Sequence, residues 1–173
     1  MYLITAYFDE NTNKRLQHLI DSVAKCTGNH FMTENHVPPH ITISAFEAQT
    51  DEIAIQMMKN VKQSFTDGNV HLVSVGVFLP YVIYVAPIYN AYLQDISCDI
   101  YDTLCDGEDI IINQFYKPTQ WFPHITIGKK LSKEEMQIAF QTMQEQFQVM
   151  EGRIVRMGLS KPNPHRDLIT VEY

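Results

Sequence analysis

Positive charge is scarce in this sequence of 173 residues, where 13 Lys and Arg stand against 20 Asp and Glu for a net charge of −7. No broad positive field exists to gather a long phosphate backbone, so a nucleic-acid ligand is expected to be short, or an end. Cysteine is nearly missing as well. Cys26, Cys98 and Cys105 cannot pair evenly, and none clusters with His at a zinc-binding spacing, so free thiols in a reducing compartment are expected. No apolar run approaches the roughly 18 residues needed to cross a bilayer. The apolar opening Met1–Phe8 meets Asp9 and Glu10 at once and lacks the basic start of an export signal, so a cytoplasmic protein without a membrane partner is expected. With 45% hydrophobic and 19% charged residues, 7 Gly and 8 Pro, the chain is neither disordered nor fibrous, and its length suits one domain.

What is present is a repetition. Pro-His-Ile-Thr-Ile stands at Pro39–Ile43 and again at Pro123–Ile127, 84 positions on. In this composition about 0.5 His-x-Thr matches arise by chance, so one copy would carry little, whereas an identical pentapeptide pair arises in about a few per cent of chains or fewer. Side chains alternate faces along a strand, which sends Ile41, Ile43, Ile125 and Ile127 into a core and presents His40, Thr42, His124 and Thr126 on the other face. Two imidazoles and two hydroxyls converging on one cleft are an acid, a base and two donors for an anion, the parts of a metal-free phosphoester site.

The surrounding pattern repeats with the motif. A strand is expected over Tyr2–Phe8 and an amphipathic helix over Asn11–Cys26, stopped by Gly28. The first motif strand runs from His40 to Phe46, and Thr50 caps a helix with inner face Ala54, Met57, Met58, Val61 and Phe65, ended at Asp67-Gly68. Strands over Val70–Phe78 and Tyr81–Ala86 follow. In the second half Tyr89–Asp106 reads as a helix and 122–129 as the second motif strand. Ser132 and Glu135 form a capping box for a helix that buries Met136, Ala139, Phe140, Met143 and Phe147. Strands over 148–158 and 168–173 close the pattern around a Pro-containing loop at Lys161–His165. Each half thus runs helix, motif strand, helix, strand, strand, and the class expected is α+β with antiparallel sheets.

The paired His-x-Thr strings at His40 to Ile43 and His124 to Ile127, in a small repeated α+β chain, resemble the 2H phosphoesterase superfamily, and within it the 2′-5′ RNA ligase-like (LigT-like) group. The resemblance implies a bilobal, pseudo-two-fold fold with two antiparallel sheets lining a central cleft and helices outside. It also implies cleavage of cyclic phosphodiesters, such as RNA 2′,3′-cyclic ends, or reversible making and breaking of 2′-5′ linkages, without a metal or other cofactor. His40 and His124 would be the general base and acid, and Thr42 and Thr126 would hold phosphate oxygens. A nucleotide or short RNA is the partner implied, and a monomer is expected.

Continued alternation places Ser44 and Phe46 beside the first pair and Lys130 beside the second, as further substrate contacts. Phe46 would offer a ring to a base or join the core, as a strand Phe more often does; Lys130 would offer a charge to a phosphate or form, with Lys129, a solvated strand end; and Trp121 would be either a rim for a nucleobase or a hydrophobic anchor. His36 lies four residues before His40, but Pro38 and Pro39 forbid the helix that would turn this spacing into a metal site. His165 falls in a loop where the sequence assigns it no role. Two rival readings stand beside the phosphoesterase: an inert module binding nucleotides or RNA ends, and a metal-dependent hydrolase built on the same histidines.

Overall fold

The computed structural model describes residues 1–62, 68–162 and 164–172. Its elements are β1 (Tyr2–Phe8), α1 (Glu10–Thr27), α2 (Phe31–Glu34), β2 (His40–Glu47), α3 (Asp51–Asn60), β3 (Asn69–Phe78) and β4 (Val82–Pro87). Then come α4 (Ala91–Cys105), β5 (Ile111–Ile112), a 3-10 turn (Gln114–Tyr116), β6 (Ile125–Lys129), α5 (Lys133–Gln146), β7 (Met150–Lys161) and β8 (Arg166–Glu172). The expected positions Phe65, Asp67 and Tyr173 lie outside the described residues.

Local chemistry accounts for the helix ends. The Asp9 carboxylate caps α1 by accepting from the backbone N–H groups of Asn11 and Thr12, each at 3.0 Å, and its second oxygen accepts from Arg153 N at 3.0 Å. One side chain thereby ends β1, starts α1 and ties both to β7. Gly28, at φ 75°, takes the left-handed turn that closes α1. The Ser132–Glu135 capping box forms as expected, with both reciprocal bonds in place. α3 stops at Asn60, short of the expected Asp67-Gly68, and Val61 is already extended. One core residue expected on α5 is displaced: Phe140 is 50% exposed. The buried stripe of α5 is Ala139, Thr142 and Met143, which rotates position 140 to the edge of the face.

All strand pairings are antiparallel and follow one path, β5-β2-β1-β7-β3-β4-β6, with β8 also on β7. In place of two separate sheets there is one continuous ladder, because the long strand β7 serves both arms. Its residues Ile154–Ser160 pair with β1, Met150–Arg153 pair with β3, and Arg156–Lys161 pair with β8. The ladder curls enough to bring β2 against β6, near its two ends.

The sequence repeat is interwoven in this ladder. The β3–β4 hairpin of the first half pairs with β6 of the second, and β7–β8 of the second half joins β2 of the first through β1. Helices follow the same exchange: α1 packs on α5 and β6, while α4 packs on α3 and β2. The core between helices and ladder is aliphatic, with Ile4, Leu16, Ile20, Ile41, Ile83, Leu93, Ile100 and Ile125 fully buried. On the opposite face the two motif strands are left to line a cleft.

Candidate functional site

Each motif histidine is anchored in the same way. His40 Nδ1 lies 2.7 Å from the Pro38 carbonyl and His124 Nδ1 lies 2.9 Å from the Phe122 carbonyl, two residues back in each case. A carbonyl only accepts, so both Nδ1 atoms carry the proton, and each neutral ring has its lone pair on Nε2. The leading Pro39 and Pro123 hold residues 38 and 122 extended, which aims those carbonyls at the rings. His40, Thr42, His124 and Thr126 line one cavity of about 330 Å³.

Both motifs end in the same irregularity. Ile4 pairs with Ser44 but Thr5 pairs with Thr42, so Ile43 is bulged; Ile83 pairs with Gly128 but Tyr84 with Thr126, so Ile127 is bulged. A bulge shifts the alternation by one residue. The next side chains to line the cavity are therefore Ala45 and Lys129, three beyond each threonine.

This phase shift corrects three expected substrate contacts, Ser44, Phe46 and Lys130. Ser44 is 2% exposed and Phe46 1%, the latter stacked on Tyr2 with ring centroids 5.7 Å apart, so both belong to the core. Lys130 turns away at φ 58° and sets Nζ 4.5 Å from the Phe31 ring centroid, while Lys129 takes the place in the cleft. Trp121 is buried, its Nε1–H donating to the Thr42 carbonyl at 2.9 Å, and it is the anchor and not the rim. His36, at φ 52°, sits in the turn before β2.

The surroundings of the two histidines differ. His40 is paired in register with Tyr7, whose hydroxyl donates to Asp167 Oδ1 at 2.5 Å and lies 2.9 Å from His165 Nε2. The His165 ring centroid is 5.5 Å from that of His40. Gly158 makes room for this cluster, since a Cβ there would stand 2.8 Å from the Tyr7 ring and 3.0 Å from Asp167. His124 lies among aromatic rings, with centroids 4.8 Å from Phe78, 5.5 Å from Tyr84 and 6.3 Å from Phe122. Gly76 admits Tyr84 in the same manner: a Cβ there would collide with its ring.

Burial in the cleft wall lowers the His40 pKa to about 4, against the pull of the Pro38 carbonyl and with added opposition from His165 and His124. His124 is also lowered, by burial first, opposed by the Phe122 carbonyl, and further by the charge of Lys129. Burial and the Asp167 bond keep the Tyr7 phenol protonated. Burial works against the Asp167 carboxylate, yet bonds from His165 and Tyr7 hold its pKa below the ordinary value. Both imidazoles therefore favour the neutral form, with bare Nε2 atoms ready to take protons. Among the described residues no group of three or more His, Cys, Asp or Glu is arranged to hold a metal ion. Among the described residues no helix is long and apolar enough to cross a membrane.

Sequence reasoning missed His165 and Lys129. Lys129 adjoins the motif but needed the bulge to be seen. His165 follows β7 by sequence and reaches His40 only through the β7–β8 pairing, a contact no local pattern encodes.

A comparison with protein families finds one whose model, described as the 2′-5′ RNA ligase superfamily, matches residues 9–165 and so takes in both motifs and His165. No curated protein matches the chain.

Proposed function

Since the chain belongs to the 2′-5′ RNA ligase superfamily, we propose that it is a metal-independent phosphoesterase acting on cyclic phosphodiesters of nucleotides or short RNA ends, or on 2′-5′ linkages. The observation that carries this reading is the pair of Nδ1-anchored imidazoles, each with a threonine two residues on, lining one cavity of about 330 Å³. That volume suits a nucleotide-sized ligand. The acidic chain offers no wide field for a long polyanion, which favours an end or a small substrate.

In hydrolysis of a 2′,3′-cyclic phosphate, one neutral Nε2 takes a proton from water as its oxygen bonds to phosphorus. The other histidine, entering protonated, gives its proton to the departing ribose oxygen as the P–O bond breaks. The proton count balances, and the two histidines exchange protonation states before resetting through solvent. Thr42 and Thr126 donate to the non-bridging oxygens, where negative charge builds, and Lys129 neutralises part of it. With a ribose 5′-hydroxyl in the place of water, the same sequence makes a 2′-5′ linkage as the ring P–O bond breaks, and its reverse cleaves that linkage.

The test is turnover of a panel in EDTA: nucleoside 2′,3′-cyclic phosphates, RNA with a 2′,3′-cyclic end, and 2′-5′-linked dinucleotides. We expect conversion of at least one, with the product phosphate position identified by chromatography. No turnover of any of them, with or without added divalent metal, sinks the enzyme reading and leaves the binding module. Turnover only with metal supports the metal-dependent hydrolase.

A further inference from the structure

The two motifs are alike, yet only the first has another imidazole against it. His165 is 8% exposed at its side chain, lines the same cavity as the motif residues, and stands with its ring centroid 5.5 Å from that of His40. Its bonding determines its tautomer. The single Tyr7 hydroxyl proton is committed to Asp167 Oδ1, so Tyr7 oxygen must accept from His165, whose Nε2 therefore carries hydrogen. Asp167 Oδ1 stands 3.5 Å from the same nitrogen. Arg156 lies over the Tyr7 ring, 4.8 Å from its centroid. His165 is thus held by Tyr7 from β1 and by Asp167 from β8, beside His40.

We propose that His165 is a third functional histidine of the cleft, a positioning residue locked by Tyr7 and Asp167 that keeps His40 free of a second proton and so gives two like motifs unlike roles. This rests on the phosphoesterase reading. Two imidazoles at such a separation cannot both take up a proton without mutual repulsion, and His165 is the one provided with a carboxylate. The groups that face this pair are Tyr7 from β1, Arg156 from β7, Asp167 from β8 and, across the cavity, His124 and Lys129. His124 has aromatic rings in the corresponding place, where His40 has a second imidazole. His40 is left as the base and His124 as the acid.

The deciding measurement is an NMR titration of the imidazole nitrogens in the unmodified chain and in His165→Gln. The His40 midpoint should move up by about one pH unit in the variant, the size of effect one neighbouring charge exerts at this distance in a partly wet cleft. An unmoved midpoint overturns the proposal. Tyr7→Phe, which unlocks His165 without removing it, serves if His165→Gln does not fold, and should broaden or shift the same titration; a wild-type curve in that variant overturns the proposal equally. On a cyclic phosphate, the acid limb of kcat/KM should rise in pH by the same amount in His165→Gln while KM stays within about twofold. An inert wild-type protein defeats the phosphoesterase reading instead, and the titration still decides the coupling.

Discussion

The indole of Trp121 donates its N–H to the Thr42 carbonyl at 2.9 Å, joining the approach to one motif strand to the middle of the other. Between β2 and β6 there is no ladder, so this bond is a cross-tie that sets how far apart the two histidines are held. Trp121 also meets Tyr89 edge to face, with ring centroids 6.0 Å apart.

Replacing Trp121 with Phe keeps an apolar ring but removes the donor. A loss of about 2 kcal/mol in stability is expected from the unpaired carbonyl and the smaller ring. Urea denaturation measures it, and turnover should fall further than the stability loss explains, because the spacing of the site loosens.

His40→Ala and His124→Ala should each lower turnover by roughly 10²- to 10⁴-fold, the usual share of a general acid or base. Circular dichroism should stay unchanged. Thr42→Val and Thr126→Val, which keep the β-branched shape and delete the hydroxyl, should lose about tenfold to a hundredfold, mainly in kcat. Wild-type rates in both histidine variants would end the proposed mechanism.

Lys129 and Lys130 are neighbours in sequence and opposites in place. Lys129→Ala should lower kcat/KM about tenfold or more, and Lys130→Ala should leave it within about twofold. Equal effects of the two substitutions would contradict the phase shift that the bulge at Ile127 introduces.

The buried imidazole makes a signature in stability. His40 has a folded pKa of about 4 against an ordinary 6.5, so between those values the unfolded chain takes up a proton that the folded one refuses. Stability is present above pH 6.5 and is lost as pH falls towards 4; His124, also lowered, acts in the same direction. In His40→Gln the loss between pH 7 and pH 4.5 should be smaller by about 2 kcal/mol, after allowance for the solvent that reaches the cleft. Denaturant midpoints across that range check it.

Most of the elements were legible because their signals are local. Thr50 and Ser132 cap helices by contacts within three residues, and the apolar spacing of α1 and α4 is unbroken. The four motif residues were legible for the same reason, since two alternations bring His and Thr to one face before any irregularity. Ser44, Phe46 and Lys130 were misplaced because the bulges depend on what β1 and β4 do opposite them. Trp121 and His165 depend on the curl of the ladder and on the β7–β8 pairing, which are tertiary relations. Phe140 shows the limit within a helix: its spacing fits a core stripe, and the packing of α5 on α1 selects a neighbouring one.

Because the repeats are interwoven, neither half of the chain can stand as a module. A fragment ending before α4 would hold β3 and β4 without β6, and β1 without β7, leaving hydrogen-bonding edges open on both. During synthesis the link between the arms arrives only with β7, when nearly the whole sequence has been made. Completion of the cleft is therefore a late event: a truncated or half-made chain would carry one motif, or both, without the β7 pairings that join the two arms of the ladder.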